Sequence, residues 1–355
     1  MKFLDRNFCI FYEKIRLASH PMNYYKLLKI NNFIKNPRLK FLGLLVFHLL
    51  KKRYISIQFD PVNACNLRCK MCYFTDRDYV KTLKGIFPKE DLPLFSTALF
   101  NRAAKLQVGC GTEPSLYKNL DAIFELAHKE KVPYISMTTN ANLLEKDQLE
   151  KWVKLGLNEI TVSLHGVYKE SYESFMAKGN FDRFMLSLTY ITEVKKKYPD
   201  FKLRINYTFN EDNFLELKDF WNIFGTIDID YLQIRPIDKI GETEYNNFSL
   251  DKILPIYDEV YNIINQNAIQ NNTVLIAPKP KRLEHQESMN SVIQPFTYCY
   301  VSPTSFWNQN FDWKTETYDQ YAKRSQLSLQ LLKLTFAKKS TIAALQNKTL
   351  NYDIN

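Results

Sequence analysis

The chain has 355 residues, 45% of them hydrophobic and 14% aromatic, which is enough to bury a core without disulfides or an oligomeric partner. Its net charge of +10 reads as a nucleic-acid signature until it is located: residues 1–55 carry twelve lysines and arginines against Asp5 and Glu13, and the other 300 residues balance at 36 of each sign. The body outside this front is neutral, and no nucleic acid is expected as a partner.

In the basic front, Asp5, Arg6, Glu13, Lys14 and Arg16 interrupt any apolar stretch where a secretory signal would lie. A cytoplasmic protein with reduced thiols is therefore expected. Further on, the apolar run FLGLLVFHLL (Phe41 to Leu50) is flanked by Arg38, Lys40, Lys51, Lys52 and Arg53. It is too short to span a bilayer, which takes about 20 residues. Two readings stay open: a helix packed on its own domain with solvated basic flanks, or an interfacial helix that meets a membrane surface or an acidic partner.

From Tyr54 onward, strand and helix patterns alternate. YISIQF (Tyr54 to Phe59) sets Ile55, Ile57 and Phe59 against Ser56 and Gln58, the period of a strand. A helix is predicted over about Pro93 to Leu106, then a strand in LQVGCG, a helix in LDAIFELAHKEK and a strand in PYISMTT. Leu149, Trp152 and Val153 fall at helical spacing before the strand NEITVSL. Phe181, Phe184, Met185, Leu188 and Ile191 mark one helical face. The strand FKLRINYTF, the helix FLELKDFWNIF and the strand DYLQIRP follow, and Ile253 to Ile264 and Leu327 to Phe336 read as further helices.

Strands that alternate with helices favour a parallel sheet with right-handed crossovers. Six such units make an incomplete barrel or a wound open sheet, with ligand chemistry at the carboxyl ends of the strands in either case. The expected organisation is a helical segment over 1–53, a core over 54–240 and a helical or irregular C-terminal extension over 241–355 packing on that core. In the extension, Phe306, Trp307, Phe311 and Trp313 are expected to pack the tail down, and Cys110 is expected to be a small core residue.

The loop after the first strand contains three of the six cysteines, Cys65, Cys69 and Cys72, in FDPVNACNLRCKMCYF. Clustered thiols in a reducing compartment point to a metal or to catalysis rather than to a disulfide framework. Structural zinc wants four protein ligands, usually in paired C-x-x-C units, and no second pair exists; a fourth ligand from Cys9, Cys110, Cys299 or a histidine would have no recognisable spacing. Three thiolates without an evident fourth suit a cubane with one iron left open.

With these residues in hand, the sequence resembles the radical S-adenosylmethionine (radical SAM) enzymes, whose C-x-x-x-C-x-x-C loop follows the first barrel strand. CNLRCKMCY is similar to the form in the branch with a SPASM-type extension, although the auxiliary-cluster cysteines of that branch are missing. The resemblance implies an α/β fold, a partial (βα)6 TIM-like barrel of parallel strands, and a 4Fe-4S cluster held by Cys65, Cys69 and Cys72 with S-adenosylmethionine on the fourth iron. It places the Met71 backbone near the adenine, and Gly111, Thr112 and Glu113 of GCGTEPSL near the methionine ammonium, where a carboxylate forms a charge-assisted bond. It makes cofactor contacts of Asn140 in TTNANLL, Ser163 in VSLHG and Asn206 in RINYTFNEDN, with Asn210 a poorer candidate and Leu232 to Ile234 on the adenine side. Ala141 stands where the family has Gly. His165 stands where it has Asp, as a candidate general acid or substrate contact in place of an acidic role.

The implied reaction is reductive cleavage of S-adenosylmethionine to a 5′-deoxyadenosyl radical that takes hydrogen from a peptide, sugar or other small molecule. It needs an external low-potential electron donor of the flavodoxin or ferredoxin type. The alternative is a binding or sensor protein stabilised by zinc or a cluster, without turnover.

Overall fold

The protein is described by a computed structural model covering residues 24–237, 243, 245, 247–278, 291–306, 308 and 310–345. Residues 1–23 of the basic front, Cys9, Trp307 and the boundary drawn after residue 240 lie outside that set.

The six expected strands are β1 (Ile55–Phe59), β3 (Ala103–Val108), β4 (Ile135–Thr139), β5 (Leu157–Leu164), β7 (Lys202–Phe209) and β8 (Tyr231–Pro236). A short antiparallel pair, β2 (Arg68–Cys69) with β6 (Met176–Ala177), stands apart from them. The main sheet has eight strands, because β9 (Val274–Ile276) and β10 (Tyr298–Val301) complete the order β10-β1-β3-β4-β5-β7-β8-β9, every neighbouring pair parallel. This corrects the expectation for 241–355: the extension supplies both edge strands of the sheet. VLI and YCYV are too short to show a period; what makes them strands is an edge to pair with, as Cys299 pairs with Ile57.

The helices of the N-terminal segment are α1 (Tyr24–Phe33) and α2 (Pro37–Leu49). Asn36 caps α2 by accepting the Arg38 N–H at 2.9 Å, and Pro37 occupies the first turn, where no amide is needed. Helices α3 (Leu92–Leu99), α4 (Leu120–Lys129), α5 (Lys146–Lys154), α6 (Phe181–Lys197), α7 (Leu254–Gln270) and α8 (Leu327–Phe336) follow. The helix expected over 93–106 stops at Leu99, and a 3-10 turn over Phe100–Arg102 delivers Ala103 into β3. Ala103, Ala104 and Lys105 are good helix formers, and their pairing with β1 overrides that local preference. Among the described residues, no helix is long and apolar enough to cross a membrane.

The strand alternation sorts side chains onto two faces. One face is apolar and lies under the helices: Phe59 meets Phe87 and Phe95 at ring distances of 5.0 and 4.9 Å, and Trp152 of α5 meets Phe124 of α4 at 5.4 Å. The other face is polar and hydrogen-bonded from strand to strand. Lys105 donates to Gln107, and Gln107 to Thr138, both at 2.9 Å. Arg204 donates to Glu159 at 3.0 and 3.2 Å and to Gln233 at 3.2 Å, while the Tyr134 hydroxyl donates to Glu159 at 2.8 Å. Filled (βα)8 barrels place branched apolar side chains there. Here that interior is polar and hydrogen-bonded instead.

The Glu159–Arg204 pair is nearly dry, with side chains 2% and 11% exposed. Removing one member of such a pair leaves the other charge stranded. Glu159→Ala is expected to lower unfolding free energy by about 3–5 kcal/mol, read from the denaturant midpoint at unchanged m-value.

Candidate active site

The chain leaves β1 through Asp60, whose carboxylate is fully buried. It accepts the backbone N–H groups of Cys110 (2.7 Å) and Gly111 (3.0 Å) and the hydroxyls of Thr112 (3.1 Å) and Tyr300 (2.9 Å). Burial pushes the pKa of this carboxyl above its usual range and the four donors pull it back. The loop after β3 is thereby fixed against the loop after β1. Two more bonds tie them: the Ala64 carbonyl accepts the Glu113 N–H at 2.9 Å, and the Tyr73 hydroxyl donates to the Gly111 carbonyl at 2.6 Å. Gly109 makes the turn at φ +79°, where a Cβ would lie 2.4 Å from the Thr138 carbonyl oxygen.

Within the cysteine loop, Cys69 lies on β2 opposite Met176, and the Cys72 N–H donates to the Cys69 carbonyl at 2.9 Å. The Cys65 sulfur accepts the Leu67 N–H at 3.4 Å and lies 3.8 Å from Asn140 Nδ2. Burial raises all three thiol pKa values, Cys65 to about 12, and Cys65 and Cys69 are raised further by charge on neighbouring thiols. Arg68 opposes this at Cys65 and Cys72, its guanidinium held by the carbonyls of Cys65 (2.8 Å) and Leu67 (2.6 Å).

The three thiols thus belong to one loop, with the Arg68 charge beside Cys65 and Cys72. Among the described residues, no group of three or more His, Cys, Asp or Glu side chains is placed as it would be around a single metal ion. Three thiols in one loop have the donor chemistry of a cluster that takes one thiolate per iron.

Glu113 is buried and already engaged. It accepts the Thr139 hydroxyl and the Asn140 N–H, each at 2.8 Å, and the Ser115 N–H at 3.1 Å. Burial raises its pKa against those bonds. Its carboxylate joins the loops after β3 and β4, with one oxygen left fewer partners than the other. Asn140 donates to Asn66 at 2.8 Å, within the cysteine loop. Ala141 takes φ 63°, which explains the family's Gly there and shows that Ala is carried with some strain.

Ser163, Asn206 and Gln233 form one row across β5, β7 and β8. Asn206 Oδ1 is buried without a hydrogen-bond partner, as is Nδ1 of His165 at the end of β5. Burial, assisted by the charge of Arg235, brings the His165 imidazole down to about 4. Burial thus disfavours its charged form, and a neutral imidazole keeps one N–H donor and one acceptor nitrogen. Asn210 turns its Oδ1 to the backbone N–H groups of Asp212 and Asn213, a structural role in its own loop. Met71 is buried against Phe175 and Ile237.

Cys110 is half-buried rather than a core residue; its thiol donates to Gln58 at 3.2 Å on the polar face. Cys299 is buried in β10. Phe306 and Trp313 stack at 6.2 Å and Trp313 stacks on Phe87 at 5.5 Å, so this part of the tail does pack onto the sheet. Asp60, Arg68, Tyr73 and Tyr300 are the site residues that sequence reasoning missed. Only Asp60 had a signal, its position directly after the first strand.

Residues 60–220 match the sequence model of the Radical SAM superfamily. A probable GTP 3′,8-cyclase of Methanocaldococcus jannaschii is 27% identical over 223 residues, 61% of this chain and 70% of that protein. One of Metallosphaera sedula is 27% identical over 180 residues, 50% of this chain and 54% of that protein. The chain therefore spans between about half and 70% of these relatives. Among solved structures, Streptococcus suis SuiB bound to S-adenosylmethionine superposes with TM-score 0.54 at 17% identity, covering 73% of this chain and 61% of that one. A structure of anSMEcpe with bound AdoMet gives 0.57 at 18% identity, covering 80% and 81%. At these identities the likeness is one of fold: both support the partial-barrel reading.

Two outcomes follow from the geometry. Asp60→Asn turns an amide donor toward groups that are themselves donors; it should cost about 1–3 kcal/mol of stability and speed hydrogen exchange at the amides of Cys110 and Gly111. For His165, the folded pKa lies below the unfolded value, so its contribution to stability is present above about pH 6.5 and is lost as pH falls toward about 4. The native chain should lose more stability across that window than His165→Gln does, measured by denaturant unfolding at each pH.

Proposed function

The chain carries a radical SAM domain over residues 60–220, and from that premise we propose that Cys65, Cys69 and Cys72 hold three irons of its 4Fe-4S cluster while the rim around them binds S-adenosylmethionine. The observation that carries this reading is the fastening of the three-cysteine loop to the GCGTEP loop, through Asp60, Ala64 and Tyr73, at the carboxyl end of the strands. When bound, cluster and S-adenosylmethionine supply a one-electron reductive cleavage that yields a carbon radical able to abstract hydrogen.

The protein's part is positional. Thr112 and Glu113 present a backbone and a buried carboxylate to the ammonium, and the Asn140 and Thr139 bonds keep that carboxylate in place. Asn206 Oδ1 accepts a hydroxyl of the nucleoside, which would satisfy an oxygen otherwise left without a donor. Ser163 flanks it in the same row and Met71 lies to the adenine side. His165, neutral, contacts substrate or cofactor through its imidazole nitrogens. The half-buried cysteine loop receives electrons from a donor of the flavodoxin or ferredoxin type. A reducing compartment, the cytoplasm, suits its free thiols.

The substrate is a small polar molecule held over the polar face of the sheet. A nucleoside triphosphate is the specific second reading, favoured by the relatives named as probable GTP 3′,8-cyclases.

Anaerobic reconstitution should give about four irons and matching acid-labile sulfide per chain, with 5′-deoxyadenosine formed under dithionite. Serine at all three cysteines should abolish both; iron and sulfide retained in that variant would refute the ligand assignment. If GTP is the substrate, it should raise 5′-deoxyadenosine formation and be consumed with it.

A further inference from the structure

The two ends of the described chain meet on one face. Helix α2 lies between α1, with which it lines a groove, and α8, which packs along it; Arg38 of α2 donates to the Ala337 carbonyl just beyond α8 at 2.9 Å. Residues 24–53 contain eight lysines and arginines and residues 327–345 contain three, and neither segment contains an aspartate or glutamate. These segments are far apart in sequence and share a sign that the rest of the chain cancels.

The helices that meet there expose large apolar side chains. Leu49 and Leu50 at the end of α2 are 62% and 56% exposed, and along α8 Leu329, Leu332 and Phe336 are 42%, 43% and 78% exposed at helical spacing. Beside them Lys51, Lys52, Lys333, Lys338 and Lys339 are exposed. The groove between α1 and α2 has a volume of about 300 Å³ and an apolar lining that includes Leu27, Leu28, Ile34, Leu39 and Phe47. Lone exposed leucines need no explanation, but several on adjoining helices among unopposed lysines do.

We propose that this face docks on an anionic phospholipid bilayer. Lysines interleaved with aliphatic groups match a surface that offers phosphate charge above hydrocarbon, and the groove accepts an acyl chain or a displaced headgroup. Single-stranded nucleic acid would call for a row of aromatic stacking surfaces, and among the exposed apolar groups of α1, α2 and α8 only Phe33 and Phe336 are aromatic. The placement also suits the domain: α2 leads into the amino end of β1, whereas the cysteine loop follows its carboxyl end.

The test is co-sedimentation of the full chain with vesicles of phosphatidylcholine alone or mixed with about 30% phosphatidylglycerol. Association is expected to be about tenfold or more stronger with the anionic vesicles and to weaken as salt rises. The triple variant K333E/K338E/K339E, which alters exposed positions away from the cysteine loop, should lose most of that association while keeping its thermal unfolding curve. L329S/L332S/F336S should lower binding with the salt dependence kept. Equal binding to neutral and anionic vesicles, or a charge-reversed variant that binds like the native chain, would overturn the proposal. So would a concentration-dependent dimer, or a complex with an acidic protein, that the same lysine changes abolish while vesicle binding stays at background.

Discussion

One buried carboxylate organises the functional end of this fold. Asp60 sits where β1 stops, and its two oxygens collect donors from the loop after β3 and from Tyr300 on β10. An ionised group out of water is tolerated only when its lone pairs are occupied, and here they are. The consequence is geometric: two loops that belong to different strands are held as one body, and the cysteine loop inherits its position from that body. The edge strand β10 matters for the same reason, since it carries the phenol that completes the set.

A second constraint runs below it. The sheet buries its apolar side chains outward under the helices and keeps a hydrogen-bonded polar face inward, from Lys105 through Glu159 and Arg204 to Gln233. Such a network resists rearrangement because each member lost leaves another unsatisfied. It forms a fixed floor beneath the rim; Gln233 shares a row with Ser163 and Asn206, and His165 follows at the end of β5. Two of these residues, Asn206 and His165, retain a buried polar atom without a partner. Glu113 differs: much of its capacity is already used in joining loops, so its part in binding is inseparable from its part in holding the rim together.

At the opposite end, α2 and α8 give the molecule a different surface. Its charge comes from the two ends of the chain and its apolar content from helices whose other faces are needed for packing, such as Phe41, Leu44 and Leu45 of α2. Along the chain, α2 leads into the amino end of β1 and the cysteine loop follows its carboxyl end.

The alternating strands, the helical stripes and the three clustered cysteines were legible because each is a local pattern: a period of two, a period near 3.6, or a spacing within one loop. That was sufficient for the α/β class, six of the strands and the radical SAM resemblance. Local patterns could not reveal β9 and β10, which are strands only because an edge accepts them, or the end of α3 at Leu99, where pairing with β1 outweighs helix preference. Nor could they reveal that Asp60 binds residues some fifty and 240 positions away, or that basic segments from both ends share a face. The sequence by itself determined the chemistry on offer, because donor atoms and periods are written residue by residue. The tertiary structure alone decided which donors meet, because burial and hydrogen-bond partnership depend on distances that only the folded sheet creates.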